Sequence, residues 1–315
     1  MKSTSRYVYD ELIARGIDVR HQLMGENSFF AFQYNNKLRT MSGVSTDLSS
    51  STARTICNNK DVTVLVADML GYKMPATVIY DNDEKAIAFL NQYNQIVVKP
   101  ADNAHGNGVT INVNSPTSLT QALQRAREYS RKGGIILQQQ VIGSDYRILV
   151  IDGTAIAVSQ RTAASIVGDG IHTNAELIKI ENKTNSKRGS NYEKPLNYID
   201  VSAAQLFLGE KMQDIPEQGK ENPVVGTANM GTGGKATNRT GQIPDTMIKE
   251  AERIVCDIGA FTCGVDFMYD NKKDEWFLIE LNSSPSFGLH HSPSDGGSVD
   301  VTRFFVDRLL ARYDV

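Results

Sequence analysis

Lys99 closes an apolar run, QIVVKP, and leads through Pro100 into a loop carrying His105, Gly106 and Gly108. A core strand has no use for an ammonium group at its end, and a plain turn does not need two glycines beside one imidazole. Glycine lets backbone N–H groups approach an anion closely, and lysine adds a mobile point charge. The stretch VVKPADNAHGNGV therefore reads as a phosphate-holding device. In isolation, a βαβ-type turn with a hydrogen-bonded histidine is the simpler reading.

The second chemical segment is GVDFMYDNKKDEWFLIELNSSP, residues 264–285. Two strands flank a polar turn. With a five-residue loop over Asn271–Glu275, Asp270 pairs with Trp276 and Asp266 stands opposite Glu280. Period-two alternation puts Asn282 on the face of Glu280. Two carboxylates and an amide oxygen on one small patch suit Mg²⁺, which completes its shell with waters and substrate phosphates. A solvated hairpin face with incidental acids is the alternative. Against it, Phe277, Leu278, Ile279 and Leu281 predict an interior strand, where a glutamate needs a partner.

The elements that must carry these segments alternate along the chain. Tyr7–Arg15 and residues 60–70 have helical spacing, and QIVVKP, VTINV and GIILQQQVI have strand composition. SLTQALQRAREYSRKGG places Leu119, Ala122, Leu123, Ala126 and Tyr129 on one helical stripe that closes on Gly133-Gly134. DYRILVIDGTAIAVSQR predicts a hairpin turning at Asp152-Gly153. A strict two-residue register there sets Arg161 across from Ser144, on the opposite face from Arg147, unless a bulge intervenes. PDTMIKEAERIVCDIG predicts a helix with Asp245 as N-cap and Gly259 past its end. VDVTRFFVDRLLARY is an amphipathic helix. Residues 182–200 and 226–241 are polar, glycine-bearing loops of a length that usually marks function or mobility. Hairpin-paired strands with helices between them predict α+β lobes rather than a doubly wound sheet.

Composition bounds the function. The 315 residues are 40% hydrophobic and 22% charged, with a net charge of −3. No basic face is evident, which argues against nucleic-acid binding. No apolar run spans a bilayer and no apolar leader opens the chain, so a cytoplasmic protein without a membrane partner is expected. Cys57, Cys256 and Cys263 are odd in number and widely spread, predicting three small buried side chains rather than disulfides or a zinc site.

Five segments in order, NKDVTVLVADMLGYKMP, VVKPADNAHGNGV, GSDYRILVIDGTAIAVSQRTAASIVGDGIHTNAELIKIEN, ANMGTGGKATNRT and IELNSSPSFGLHHSPSDG, resemble the ATP-grasp superfamily of carboxylate–amine ligases. Within it, the likeness is to the ATP-grasp region of cyanophycin synthetases and then to glutathione-synthetase-type ligases. The resemblance implies an α+β ATP-grasp fold in which two lobes grip ATP. The expected division is an N-terminal α/β region over 1–56, a small lobe over 57–138, and a large lobe with the metal site over 139–315.

Carried over by position, Lys99 resembles the lysine that contacts ATP phosphate. His105, Gly106 and Gly108 resemble the glycine loop over the phosphates, and Lys60 a further phosphate-proximal lysine. Gln138 falls where a glutamate usually accepts the adenine amino group. Val141 would offer its backbone to the ring, and Asp145 would hold ribose hydroxyls. Asp266, Glu280 and Asn282 resemble ligands of two Mg²⁺ ions, with Mn²⁺ as an alternative. Arg161 resembles an arginine at the γ-phosphate and acyl phosphate, and His290 a histidine after the metal strand. Arg147, Arg188, Asn229 and Lys235 are the candidates for substrate contact. Gly264 stands where D-alanine–D-alanine ligases have an arginine, Ser286 replaces a glycine after Pro285, and Gly288 replaces a bulky basic residue. The second ligase module of cyanophycin synthetase has no counterpart within the 315 residues, so formation of the two-residue polymer unit by this chain alone is not expected.

The implied activity is ATP-dependent amide formation between a carboxylate, of an amino acid or short peptide, and an amine. The alternatives are a glutathione-synthetase-like enzyme, a peptide- or protein-tail modifier, and a non-catalytic nucleotide-binding module. Partners would be small amino-acid or peptide substrates, and a homo-oligomer is compatible with the sequence.

Overall fold

In the computed structural model, which describes residues 4–24, 27–103, 106–190 and 194–314, the apolar periodicity of the sequence sets most elements. Helix α1 (Thr4–Ala14) precedes the antiparallel strands β1 (Val19–Met24), β2 (Asn27–Tyr34), β3 (Lys37–Ser42) and β4 (Ser45–Thr46), which form a meander in chain order. Helices α2 (Ser51–Asn58) and α3 (Lys60–Met69) follow. The next unit holds β5 (Thr77–Ile79), α4 (Asp83–Tyr93), β6 (Ile96–Pro100), β7 (Thr110–Val113), α5 (Pro116–Tyr129) and β8 (Ile135–Gln139), with strand order β5-β8-β6-β7. In α5, Pro116 takes the first helical position and Ser115 caps it by accepting from the Ser118 N–H. Its stripe Leu119, Ala122, Leu123 and Ala126 is buried against Ile96, Val98 and Leu137.

The large sheet is antiparallel, in the order β15-β10-β9-β16-β17. It contains β9 (Ser144–Ile151), β10 (Thr154–Thr162), β15 (Lys235–Asn238), β16 (Thr262–Asp270) and β17 (Glu275–Asn282). Between β10 and β15 the chain makes an excursion through β11 (Ser165–Val167), α6 (Asn174–Thr184), β12 (Arg188–Gly189), β13 (Leu196–Asn197), α7 (Val201–Leu208) and β14 (Glu221–Pro223). The excursion has its own core, including Ile166, Ile178, Ala204 and Val224. Helices α8 (Asp245–Asp257), α9 (Gly288–His291) and α10 (Val301–Tyr313) complete the α+β architecture.

Strand β9 is central and apolar on both faces. Ile148 and Val150 pack with residues of α2, α3 and α8. Leu149 and Ile151 pack with α1, the N-terminal meander and α10. Asp145 and Arg147, in step with Leu149, emerge on that second face.

Both hairpins depart from a simple count. Asp152 and Gly153 have φ of 49° and 71°, the signature of a two-residue type I′ turn. A bulge between Ala155 and Ala157 then shifts the register, so Arg161 pairs with Asp145 instead of Ser144 and shares a face with Arg147. In the acidic hairpin Asp270 pairs with Glu275, not Trp276, leaving a four-residue turn, 271–274. Ile279 is then an extra residue in β17, and this bulge restores the Asp266–Glu280 pair.

Three expectations are corrected. Strand β17 is an edge strand rather than an interior one; α2 and α3 lie against it, and its Leu278 N–H donates to the Lys73 carbonyl. Asp245 is the first residue of α8, and Pro244 holds the cap position without a side-chain bond. Cys57 and Cys263 are buried, but Cys256 is exposed. Among the described residues, no helix is long and apolar enough to cross a membrane.

Candidate functional site

Strand register lines up the polar side chains. Ser159 of β10 pairs with Arg147 of β9, Arg147 with Asp266 of β16, and Asp266 with Glu280 of β17. Two residues along, Arg161 pairs with Asp145. Arg147 grips Asp266 through two bonds, Nε to Oδ1 and Nη2 to Oδ2, each 2.7 Å. The Nη2 of Arg161 bridges Asp145 Oδ1 at 2.6 Å and Asp266 Oδ2 at 3.0 Å. The Nδ2 of Asn282 lies 3.3 Å from the same Asp266 oxygen. Gly264 fits against Pro285, since a Cβ there would sit a tight 3.0 Å from Pro285 Cβ and at contact distance, 3.4 Å, from Arg147 Cδ.

Burial and charge compete in this row. Burial raises the Asp266 pKa, but Arg147 and Arg161 outweigh it and hold the carboxyl below its ordinary value. At Asp145 burial wins over Arg161, and the pKa is raised. Arg161 loses solvation too, yet Asp145 and Asp266 raise its pKa and keep it a cation.

Two lysines reach the same place from other elements. Lys60, at the start of α3, lies 3.0 Å from Glu280 Oε1 and also donates to the Asn103 carbonyl. Lys99, 6% exposed at the end of β6, donates to Gln138 Oε1 at 2.8 Å. The Nε2 of Gln138 donates to Thr77 Oγ1 at 2.9 Å, and the Thr77 hydroxyl donates to the Pro75 carbonyl. An ammonium can only donate and the Thr77 proton is already committed, so the Gln138 amide has one orientation. Burial lowers the Lys99 pKa to about 8, with Lys60 adding to the effect against Glu280 and Asp266.

The glycine loop lies over the 226–229 segment. Gly106 and Gly108 have φ of 72° and 75°. A Cβ on Gly106 would be 3.4 Å from Asn229 Nδ2, and one on Gly108 would be 2.7 Å from Tyr129 Cβ and 2.8 Å from Pro100 Cγ. His105 lies outside the described residues. Val141 is half-buried in the link between β8 and β9.

His290, 2% exposed on α9, faces Ser159 Oγ through Nδ1 at 3.2 Å, and its buried Nε2 has no partner among the described residues. Burial, with Arg147 and His291 nearby, lowers its pKa to about 3, so the ring is neutral near pH 7.

Arg188 and Lys235 are engaged elsewhere, whereas Asn229 lies beside the glycine loop. Arg188 bonds the carbonyls of Asn197 and Gly233 and pairs with Glu181 inside the excursion. Lys235 holds Ser165 and Glu221 at the root of the excursion. Asn229 Oδ1 accepts from the Gly231 N–H.

Two residues escaped the sequence reading. Thr77, which orients Gln138, sits in a short exposed strand with no signal of its own. Ser159 could have been found as a polar residue on the arginine side of β10, but only with the bulge known.

Among the described residues, four cations, Lys60, Lys99, Arg147 and Arg161, face three carboxylates, Asp145, Asp266 and Glu280. The surplus favours an anionic ligand. Among the described residues, no group of three or more His, Cys, Asp or Glu side chains converges as a metal cluster. Asp266 and Glu280 are each paired with protein cations, and Asn282 turns its Nδ2 toward Asp266; two carboxylates and an amide are donor types that suit a hard divalent cation.

Residues 64–183 match the ATP-grasp domain of prokaryotic glutathione synthetases. Over nearly its whole length the chain is also similar to the crystal structure of a bifunctional glutathione synthetase from Pasteurella multocida, with a TM-score of 0.67, 26% identity, and coverage of 98% of this chain and 43% of that one. The chain belongs to the ATP-grasp superfamily. Cyanophycin synthetase from Trichormus variabilis is 32% identical over 284 residues, covering 86% of this chain and 31% of the relative. A D-alanine–D-alanine ligase from Bacillus anthracis shares the ATP-grasp fold at a TM-score of 0.52 and 14% identity, over 84% of this chain and 71% of that one. This ATP-grasp chain spans less than half the length of its cyanophycin and bifunctional glutathione relatives.

Proposed function

We propose that the chain is an ATP-dependent ligase that joins the carboxylate of an amino acid or short peptide to an amine. The observation carrying this reading is the convergence of Lys60, Lys99, Arg147 and Arg161 with Asp266, Glu280 and Asn282 on one sheet face. A site with that cation surplus can hold the phosphates of a nucleotide, and its oxygen donors can hold the accompanying metal. The names of the relatives, cyanophycin synthetase and glutathione synthetase, support the same class of reaction.

In this reading the substrate carboxylate attacks the γ-phosphorus of ATP, ADP departs, and the acyl phosphate is then attacked by the amine with release of phosphate. Lys99 and Arg161 stabilise charge on the phosphoryl oxygens. Asp266, Glu280 and Asn282 hold Mg²⁺ or Mn²⁺, which supplies charge neutralisation at the phosphates when bound. Gln138 and Val141 line the adenine site, Asp145 holds the ribose, and the glycine loop at Gly106 and Gly108 covers the phosphates. The contact of that loop with the 226–229 segment helps exclude water, which would hydrolyse the acyl phosphate.

The test is Mg²⁺-dependent phosphate release from ATP, screened over amino acids singly and in pairs, with Glu280→Gln as control. Release that needs a particular pair and is lost in the control supports the ligase and names its substrates. Nucleotide binding without release for any pair removes the small-molecule ligase reading.

A further inference from the structure

Asp266 is heavily engaged for a candidate metal ligand: both of its oxygens already accept hydrogen bonds. Its side chain is 4% exposed. Oδ1 accepts from Arg147, while Oδ2 accepts from Arg147, Arg161 and Asn282. The two arginines are not equivalent. Arg161 shares its guanidinium with Asp145, whereas Arg147 turns both arms of its fork onto Asp266. Glu280 is different again, half-buried and held at one oxygen by the flexible Lys60.

We propose that Arg147 is a stand-in cation for Asp266, competing with a divalent metal for that carboxylate. The inference rests on the ligase reading above. A bidentate guanidinium occupies the carboxylate geometry that a metal needs, so metal and Arg147 compete for Asp266. A nucleotide changes the balance, because its phosphates offer the Arg147 fork a second anion and offer the metal further oxygens. The exchange is an ion-pair swap: Arg147 passes from carboxylate to phosphate as metal passes onto Asp266. Metal and nucleotide therefore bind with strong mutual dependence, each tightening the other by the same factor.

The probe is Mn²⁺, measured by equilibrium dialysis with and without ADP, so that no turnover is involved. For the wild-type chain, ADP is expected to tighten Mn²⁺ by about 5- to 150-fold. Arg147→Gln should bind Mn²⁺ alone at least about tenfold more tightly than wild type and lose most of the ADP effect. Arg147→Lys, which keeps the charge but loses the fork, should fall between them. Mn²⁺ alone should raise the melting temperature of Arg147→Gln and leave that of wild type unchanged. The proposal is overturned by wild-type affinity for Mn²⁺ that ADP does not alter. A folded Arg147→Gln with wild-type Mn²⁺ affinity overturns it equally. If ADP binds but no variant takes up Mn²⁺ with it, the assignment of Asp266, Glu280 and Asn282 as metal ligands fails first, and this inference goes with it.

Discussion

Lys99 donates to the amide oxygen of Gln138 over 2.8 Å, so a buried cation is held by a neutral acceptor. A glutamate at position 138 would supply an opposing charge; the glutamine does not. Burial then lowers the Lys99 pKa to about 8 from 10.5. Between those values the unfolded chain binds the extra proton, so stability rises with pH across that window. Phosphate binding follows the opposite trend, since only the protonated form carries charge. With Lys99 on phosphate, kcat/KM for ATP should fall above about pH 8. Gln138→Glu should move that limb upward by about one unit or more. A limb that stays in place in Gln138→Glu would detach Lys99 from it.

Asp266 and Glu280 should separate stability from activity. Removing one partner of a buried pair leaves the other charge uncompensated, at a cost of about 3–5 kcal/mol. Asp266→Ala strands Arg147 and leaves Arg161 paired only with Asp145, so urea denaturation should show a loss of that size together with loss of activity. The Lys60–Glu280 pair is more open, with side-chain exposures of 13% and 26%. Glu280→Gln should abolish phosphate release while costing under about 1 kcal/mol. Equal losses of stability in the two variants would contradict the burial argument.

The chemistry was legible in residue types; the register was not. Lysine before a glycine loop, and acids on a strand, declare themselves because such side chains are costly in a core. The Asp266–Glu280 pair was reached by a count that assumed a five-residue turn and no bulge, whereas the chain uses a four-residue turn and an extra Ile279. Two departures cancel, which no residue type reveals. At Arg161 a single bulge is uncompensated, and the expected face reverses. Nor did apolar content distinguish an interior strand from β17, an edge strand that α2 and α3 lie against. Long-range packing decides that distinction, and it is absent from local pattern.

His290 should contribute to acid sensitivity without shaping the neutral pH–rate profile. Its pKa is lowered to about 3 by burial, Arg147 and His291, from 6.5. Between these values the unfolded chain binds the proton and the folded chain does not, so acidification through this window destabilises the fold. Replacing His290 with Asn should flatten the decline in melting temperature between pH 6 and pH 4 relative to wild type. An activity limb near pH 6.5 that vanishes in the variant would mean the ring is more accessible to protons than its burial implies.

Gly226 is where the excursion meets the small sheet. A Cβ there would lie 2.8 Å from Phe207 Cδ2 on α7 and 3.2 Å from Ile111 Cδ1 on β7. Three residues on, Asn229 lies against the place a Gly106 Cβ would occupy, so one short segment adjoins both this packing and the glycine loop. Gly226→Ala should press on the Phe207 ring within the excursion and on Ile111 of β7, at an overpacking cost of about 1–3 kcal/mol. If closure of the loop depends on that contact, KM for ATP should rise by about tenfold, equivalent to ~1.4 kcal/mol. Truncating the obstructing ring in the double variant Phe207→Ala, Gly226→Ala should recover part of the loss, because the added methyl then has space. Steady-state KM for the two variants and wild type makes the comparison. A Gly226→Ala enzyme with wild-type KM would show that the excursion and the glycine loop act independently, and the water-excluding role would then fall to other segments.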